Sequence, residues 1–513
     1  MTKPQANAPA ASSWRPRLAQ EARLSELDGL LVRAQDHAED HAQDHTEGRG
    51  ADISIEIERA ALLGALDRRA EAQAAFIDIL RRAPTHFSAL NEFGTLLAAI
   101  GAIDAACRVY AEAILHHPDN PMGHVNLGNL LLRANRHTEA RAHYEAALKA
   151  DPDHAAAHQG LGAVLADEGN REGAREHFRK GFRGHSISTL AYRGSGPPVS
   201  LLQLVSSGGG NIPTAPFLDD CVFLTSVVVT DYLEATAPLP PHQLIFNAIG
   251  DAELCQVALE AAIRLTARSK APLINDPRAV MKSGRIDNAA RLAALPGVVT
   301  AKTLSLGRSL IAGAQGPSWL AERGYVFPLL LRSPGYHTGR NLVLVESEAD
   351  LADAASSLPG DELLAIEYLD ARGADGNARK YRVMMIGGKL FPLHLAISRN
   401  WKVHYFTSDM ADQSDHRSEE LSFLADMRAV LGDKAIAALH AICKALGLDY
   451  AGVDFGLSVD GDLLLFEANA TMVIAAPAPD PRWAYRQTAI SDVIEAAVAM
   501  IREKAGVARR AAS

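Results

Sequence analysis

Cysteine, long apolar runs and a basic surplus are what this chain of 513 residues has little of. Its four cysteines, Cys107, Cys221, Cys255 and Cys443, lie far apart and match no metal or redox spacing. They read as buried thiols of a protein in a reducing compartment. No apolar run reaches the roughly 20 residues that cross a bilayer. The first residues, MTKPQANAPAASSWRPRLAQ, contain no apolar signal core. A cytoplasmic protein with no membrane partner is therefore expected. The formal net charge is -10, which argues against a nucleic-acid partner held by general basicity.

What is present fits a soluble globular protein, with 48% hydrophobic and 22% charged residues. The length predicts two to four domains. Residues 1–50 are polar and Ala-rich, and loose order is expected there. Within them the tetrapeptides DHAE, DHAQ and DHTE place His37, His41 and His45 four apart. On a helix these would share a face and could bind a metal. A solvated low-complexity segment is the plainer reading.

Residues 51–183 repeat internally. Gly94, Gly128 and Gly162 are 34 residues apart, as are Ala72, Ala106, Ala140 and Ala174. Phe76, Tyr110, Tyr144 and Phe178 keep the period, and so do Pro84, Pro118 and Pro152. Small residues let helices approach, the aromatic fills the gap, and the proline punctuates the next copy. This resembles the tetratricopeptide repeat, a pair of antiparallel helices per copy. The first copy has Ala60 for the glycine, and the last has Ser186 for the proline, as suits a terminal repeat. An all-α solenoid with a peptide or protein partner is expected; a dimerisation or spacer module is the alternative.

Gly194-Ser195-Gly196-Pro197-Pro198 predicts a linker over 184–198. Over 199–275, apolar runs at Leu201–Val205, Val222–Val229 and Leu244–Ile249 precede a helix-like run from Ala252 to Ala267. They predict a small α/β domain with a mainly parallel sheet. Gly208-Gly209-Gly210 reads as a turn that could border a substrate pocket.

Near the C-terminus, Tyr450–Leu457 and Leu463–Ala470 flank Asp460-Gly461, a strong hairpin signal. A two-residue turn there sets Asp454 opposite Glu467 and Gly452 opposite Asn469. One face then carries Asp454, Glu467 and Asn469, beside Gly452 and Gly456, which leave room for a ligand. Val453, Phe455, Leu457, Leu464 and Phe466 face the core. Two opposed carboxylates and an amide oxygen suit a hard divalent cation such as Mg²⁺. The plainer reading is an exposed hairpin whose acids face water.

The sequence D-F-G followed by L-F-E-A-N resembles the metal-binding strands of ATP-grasp ligases, most closely the glutathione synthetase type. The likeness covers about residues 200–505. It implies a pre-ATP-grasp α/β domain over 199–275 and an α+β ATP-grasp catalytic domain over 276–508. Asp454 and Glu467 would hold one Mg²⁺, and Glu467 and Asn469 a second. In NDPRAVMKSGRIDNAARLAAL, Arg285 stands where the family has a lysine on the α-phosphate. Arg332, after the predicted strand Val326–Leu331, stands in place of a second lysine. Both keep a cation, and Arg offers phosphate a planar fork; a surface arginine is the plainer reading of each.

The loop SPGYHTGR, with His337 and Gly339, would close over the triphosphate, although His337 reads equally as a polar loop residue. Glu367, Tyr368 and Leu369 would line the adenine edge, and Asp370 would reach the ribose. In ARKYRVMMIGGKLFPLHLAIS, two strands about Gly387-Gly388, Arg382 would steady the phosphoryl group in flight, with Lys380 on the same face. Arg399, Lys402 and His404, in a polar strand, are candidates for substrate contact. The resemblance thus implies ATP and two Mg²⁺ ions, and a carboxylate and an amine joined as an amide through an acylphosphate. A repeat scaffold with a decayed or nucleotide-sensing ATP-grasp domain is the alternative, as is a member that phosphorylates without ligating.

Overall fold

The computed structural model describes residues 17–40, 46–336, 339–405, 408–477 and 480–506. The chain divides into two compact units. The first is 1–203 with 218–242, and the second is 204–217 with 243–513. The expected domain over 199–275 is therefore divided between them rather than standing alone.

Among the described residues of the first unit, helices run in sequence: α1 Arg17–Asp40, α2 Thr46–Ala65, α3 Arg69–Arg82, α4 Phe87–Ala99, α5 Ile103–His116, α6 Pro121–Arg133, α7 His137–Ala150, α8 Ala155–Asp167 and α9 Arg171–Phe182. Loose order over 1–50 does not hold across α1. Leu24 and Leu27, three apart, are buried, and Arg23–Glu58 and Arg59–Asp28 ion pairs tie α1 to α2. His41 and His45 lie outside the described residues, as does the His37 side chain.

The repeat residues act as their spacing predicts. Tyr144 is fully buried between α6 and α8, where a Cβ on Gly160 would stand 2.2 Å from its ring and one on Gly128 2.9 Å. Gly94 meets Tyr110, and Gly162 meets Phe178, in the same way. Ala72, Ala106 and Ala140 are fully buried. Beyond α9 the terminal face is covered by Tyr232, whose ring stacks on Phe182 at 5.5 Å.

Two polar pairs interrupt this apolar logic. His124 of α6 faces His143 of α7, and His158 of α8 faces His177 of α9, with Nδ1 atoms 3.0 and 2.9 Å apart. One copy earlier the same positions hold Leu90 and Val109. In each pair one ring must donate and the other accept. His158 Nε2 lies 3.0 Å from the Pro152 carbonyl, which makes it the donor there and leaves the neutral Nδ1 as acceptor. Desolvation, first of all, lowers the pKa of all four imidazoles.

The predicted linker is structured. Strand β1, Ile187–Thr189, pairs antiparallel with β3, Phe223–Val229. Gly194 is held where a Cβ would stand 2.2 Å from the Cys221 carbonyl. Between them β2, Val199–Val205, carries the chain from one unit into the next. All four cysteines are free, but only Cys255 is buried as expected; Cys107 and Cys443 are half-buried, and Cys221 is exposed because it sits on the turn before β3.

The second unit opens with β4, Leu244–Asn247, α10, Gln256–Thr266, and β5, Leu273–Ile274, parallel to β4. The Gly208–Gly210 loop packs here as a turn, Gly210 meeting Asp251 and Cys255. Two helices, α11 Pro277–Met281 and α12 Arg285–Leu292, lead to β6, Val298–Thr300. Next come β7 Thr303–Gly307, α13 Arg308–Ala312, α14 Gly316–Glu322, β8 Leu329–Arg332, β9 Leu342–Val345, α15 Leu351–Ser357 and β10 Glu362–Glu367. Their strands form an antiparallel sheet in the order β7-β10-β8-β9.

The remaining elements are β11 Ala378–Ile386, β12 Lys389–Ser398, α16 Ser414–Ala425, α17 Met427–Leu446, β13 Tyr450–Leu457, β14 Leu463–Asn469 and α18 Gln487–Lys504. A second sheet runs β12-β11-β13-β14-β6, antiparallel except for β14 with β6. Gly387 and Gly388, both with positive φ, make the tight turn between β11 and β12. Asn275, fully buried, clamps the start of β13: its side chain accepts from Asp449 and Tyr450 N–H and donates to the Tyr450 carbonyl. No described helix is long and apolar enough to cross a membrane.

The histidine pairs give the repeats a pH dependence of known sign. The folded pKa values lie below the unfolded value of about 6.5, so the unfolded chain takes protons first. Stability from the pairs is complete above that pH and is lost as pH falls below it. Thermal melts of the full chain at pH 7.5 and 5 should show this drop, and His124→Leu with His143→Val, the residues of the preceding copy, should reduce it. An unchanged pH dependence in that variant would count against the pairs.

Candidate functional site

The second sheet aligns four titratable side chains. Arg382 on β11 is the register partner of His394 on β12 and of Asp454 on β13, and Asp454 is the partner of Glu467 on β14. Partners across a sheet share a face, so His394, Arg382, Asp454 and Glu467 form a row over four strands.

The pairing of Asp454 with Glu467 was expected, but from a different turn. The connection runs over Ser458–Asp462, with Ser458 N–H donating to the Asp462 carbonyl at 2.9 Å. Counted from there, Asp454 would face Phe466. A bulge between Asp454 and Phe455 restores Glu467. Phe466 is left on the bulge and is 38% exposed rather than in the core, whereas Val453, Phe455 and Leu464 are buried as expected. The chain's own side chains fill the space above the glycines that was expected to admit a ligand. A Cβ on Gly452 would meet Met472 at 2.5 Å, and one on Gly456 would meet Ala371 at 2.5 Å.

Asp454 is buried and held by cations. Arg382 Nε and Nη2 donate to its two oxygens at 2.6 and 2.8 Å, and Lys380 Nζ stands 3.1 Å from Oδ2. Burial alone would raise its pKa. The Arg382 and Lys380 charges outweigh that and hold the carboxyl well below the ordinary range. Glu467 accepts from Arg285 Nη2 at 2.6 Å and from the Asn469 amide at 3.0 Å. The Asn469 oxygen accepts from Thr471 N–H and hydroxyl, both at 3.0 Å.

Arg285 opens α12 and bridges two acids, Glu467 and Glu253, the latter at 3.1 Å. Arg332 ends β8 and is 8% exposed. It bonds to the Tyr336 carbonyl, its Nε has no hydrogen-bond partner, and among the described residues no carboxylate pairs with it. Burial, then the neighbouring Arg285 charge, pushes its pKa down to about 10. Lys402 lies close by: burial first, and then the Arg332 charge, lowers its pKa, and a Cβ on Gly339 would stand 2.8 Å from its Cε. Arg285, Arg332, Lys380, Arg382 and Lys402 thus make a cation-rich patch beside Asp454 and Glu467. A buried guanidinium without a carboxylate calls for an anion.

The presumed adenine edge is only partly available. Glu367 N–H already donates to the Lys302 carbonyl at 2.9 Å, which continues the β10–β7 ladder. Tyr368 and Leu369 are half-buried, with Tyr368 edge-on to Trp401 at 6.4 Å. Asp370 is exposed and turned to Arg372, 2.6 Å away, which accounts first for its lowered pKa. His337 lies outside the described residues. The polar strand expected over Arg399–His404 is absent, since β12 ends at Ser398.

Sequence reasoning passed over His394, Glu253 and Asp251. Counting from the Gly387-Gly388 turn would pair Arg382 with Leu393; a bulge after Arg382 shifts the partner to His394. The imidazole is 6% exposed, its Nδ1 has no partner among the described residues, and desolvation keeps its pKa well below the usual value. Glu253 comes from the loop before α10, and only folding brings it to Arg285.

Asp454, Glu467 and Asn469 supply oxygen donors on one face, the chemistry that suits Mg²⁺. The donor set fits the ion in kind, although the chain's own cations now sit on the carboxylates.

A tetratricopeptide-repeat family model matches residues 125–182. No curated protein matches the chain. Solved structures align with part of it. A MamA double mutant has 21% identity over 32% of this chain and 90% of its own, with a TM-score of 0.26. MamA from Desulfovibrio magneticus RS-1 has 19% identity over 31% of this chain and 93% of its own, with a TM-score of 0.25. YrrB, a TPR protein with an unusual peptide-binding site, has 20% identity over 31% of this chain and 79% of its own, with a TM-score of 0.25. The helical region is a tetratricopeptide-repeat domain, followed by a strand-containing α/β region.

The buried pair changes what Asp454→Asn should do. The sequence alone suggests loss of a metal ligand with little loss of folding. In the structure the substitution leaves Arg382 and Lys380 without their acid. Breaking a buried pair costs about 3–5 kcal/mol, so urea unfolding should show a loss of that order, while Glu467→Gln, nearer the surface, loses much less. Equal stability of the two variants would contradict this reading of Asp454.

Proposed function

We propose that the chain is an ATP-dependent ligase of the ATP-grasp type, joining a carboxylate to an amine, with the repeat domain binding a peptide, protein or carrier partner. The observation that carries the proposal is Arg332: buried, without a carboxylate among the described residues, and beside a second arginine. Such a side chain suits a phosphate chain. Two further features support it. The two antiparallel sheets suit the ATP-grasp architecture, and Arg382, Lys380, Asp454, Glu467 and Asn469, named from short motifs far apart, converge on one sheet.

In this reading Arg285, Arg332 and Lys402 hold the phosphates, and Tyr368 and Leu369 flank the base. Arg382 and Lys380 neutralise charge spreading over the transferred phosphoryl oxygens. Asp454, Glu467 and Asn469 would hold Mg²⁺, which supplies charge neutralisation and alignment of the phosphates. A substrate carboxylate oxygen attacks the γ-phosphorus and ADP leaves. The amine then attacks the acyl carbon, phosphate departs with that oxygen, and the amine proton is lost.

The oxygen traffic is the test. With substrate carboxylate labelled with ¹⁸O, one label should appear in the released phosphate for each amide formed, read by mass spectrometry. A water-attack ATPase would instead put solvent oxygen into phosphate. Unlabelled phosphate accompanying genuine product would overturn the acylphosphate route. A scaffold with a nucleotide-sensing domain would release little phosphate at all.

A further inference from the structure

The two carboxylates proposed as metal ligands are already occupied by the chain's own cations. Asp454 has both oxygens engaged by Arg382, at 2.6 and 2.8 Å, and a third contact from Lys380 at 3.1 Å. Glu467 Oε1 is engaged by Arg285 at 2.6 Å and by the Asn469 amide at 3.0 Å. These are short, charge-assisted contacts. A guanidinium already on a carboxylate oxygen neutralises its charge and repels a divalent ion approaching the same group.

Both arginines have somewhere else to go. Arg285 also holds Glu253, at 3.1 Å, and so keeps a partner if Glu467 is withdrawn. Arg382 has His394 as its register partner on the side away from Asp454, and the buried His394 Nδ1 has no partner among the described residues. In the Nε2–H tautomer that nitrogen accepts a hydrogen bond. An orphan acceptor beside a half-buried guanidinium wants an explanation, and a second position for Arg382 supplies one.

We infer that Arg285, Arg382 and Lys380 are displaceable internal counter-ions that keep divalent metal off Asp454 and Glu467 until polyphosphate draws them away, and that His394 receives Arg382 when it moves. The inference rests on the proposed nucleotide reading of the same site. Metal and nucleotide then bind as a coupled pair. Without phosphate, the ion must break the internal ion pairs unaided. With phosphate, the cations exchange one set of anionic oxygens for another. His394 is thereby a positioning residue that acts through Arg382.

The test uses the full chain with Mn²⁺ as the probe, followed by water-proton relaxation, with and without a non-hydrolysable ATP analogue. Only Mn²⁺ lost in Glu467→Gln is counted as bound at the site. Wild type should take up Mn²⁺ at least about tenfold more tightly with the analogue than alone, within the usual range of coupling between sites. Arg285→Gln and Lys380→Met, each verified as folded by circular dichroism, should bind Mn²⁺ alone more tightly and narrow the gap. His394→Leu should weaken Mn²⁺ binding only when the analogue is present, with His394→Gln, which keeps an acceptor, restoring it. If wild type binds Mn²⁺ equally well alone, the counter-ion inference fails while the nucleotide reading stands. If neither state takes up Mn²⁺, the nucleotide reading fails and the inference with it. If His394→Leu changes nothing, His394 is not the second position of Arg382.

Discussion

The Arg382–Asp454 pair is the constraint around which the second unit is arranged. Asp454 is buried and Arg382 half-buried on adjacent strands, and a buried charge is tolerated only when paired. Asp454 needs Arg382 and Lys380, and both reach it from alternate positions of β11. Those strands must hold their register, because a slip of one residue would turn the pair to opposite faces. The two bulges, after Arg382 and after Asp454, serve that end by re-aiming the partner strands so that His394 and Glu467 join the row. The Asn275 clamp holds the start of β13 from outside the sheet.

The first unit follows a different principle. Its helices are stabilised by repetition of one local solution, an aromatic ring set against a glycine of a neighbouring helix. Tyr144 shows the dependence most closely, since both Gly128 and Gly160 must lack a side chain for its ring to fit. Polar pairs within such a stack are costly unless satisfied. The histidine pairs are satisfied by one another, which ties the packing of these copies to protonation. The repeat domain and the charged sheet therefore answer to different variables, packing volume in one and charge balance in the other.

Much of the candidate site was legible because its chemistry sits in short motifs. Lys380 and Arg382 alternate on one strand, and Glu467 and Asn469 on another, so a period of two was enough to group them. What the sequence could not show was who pairs with whom. The hairpin register came out right because two one-residue offsets, the longer turn and the bulge, cancel. His394 was invisible because its bulge leaves no mark in composition. The glycines were misread as room for a ligand, since only the fold brings Met472 and Ala371 over them.

By itself the sequence determined the helical repeat, the change of period after it, and which residues could supply cations and oxygen ligands. These are properties of neighbours along the chain, set by side-chain spacing and turn chemistry within a few tens of residues. Only the tertiary structure decided that Asp454 is an ion-paired buried acid, that Arg285 links Glu253 to Glu467, and that Arg332 meets no carboxylate among the described residues. Those states depend on burial and on charges brought together from 32 to 182 positions apart. Electrostatic free energy is governed by distance and solvent access rather than by order along the chain.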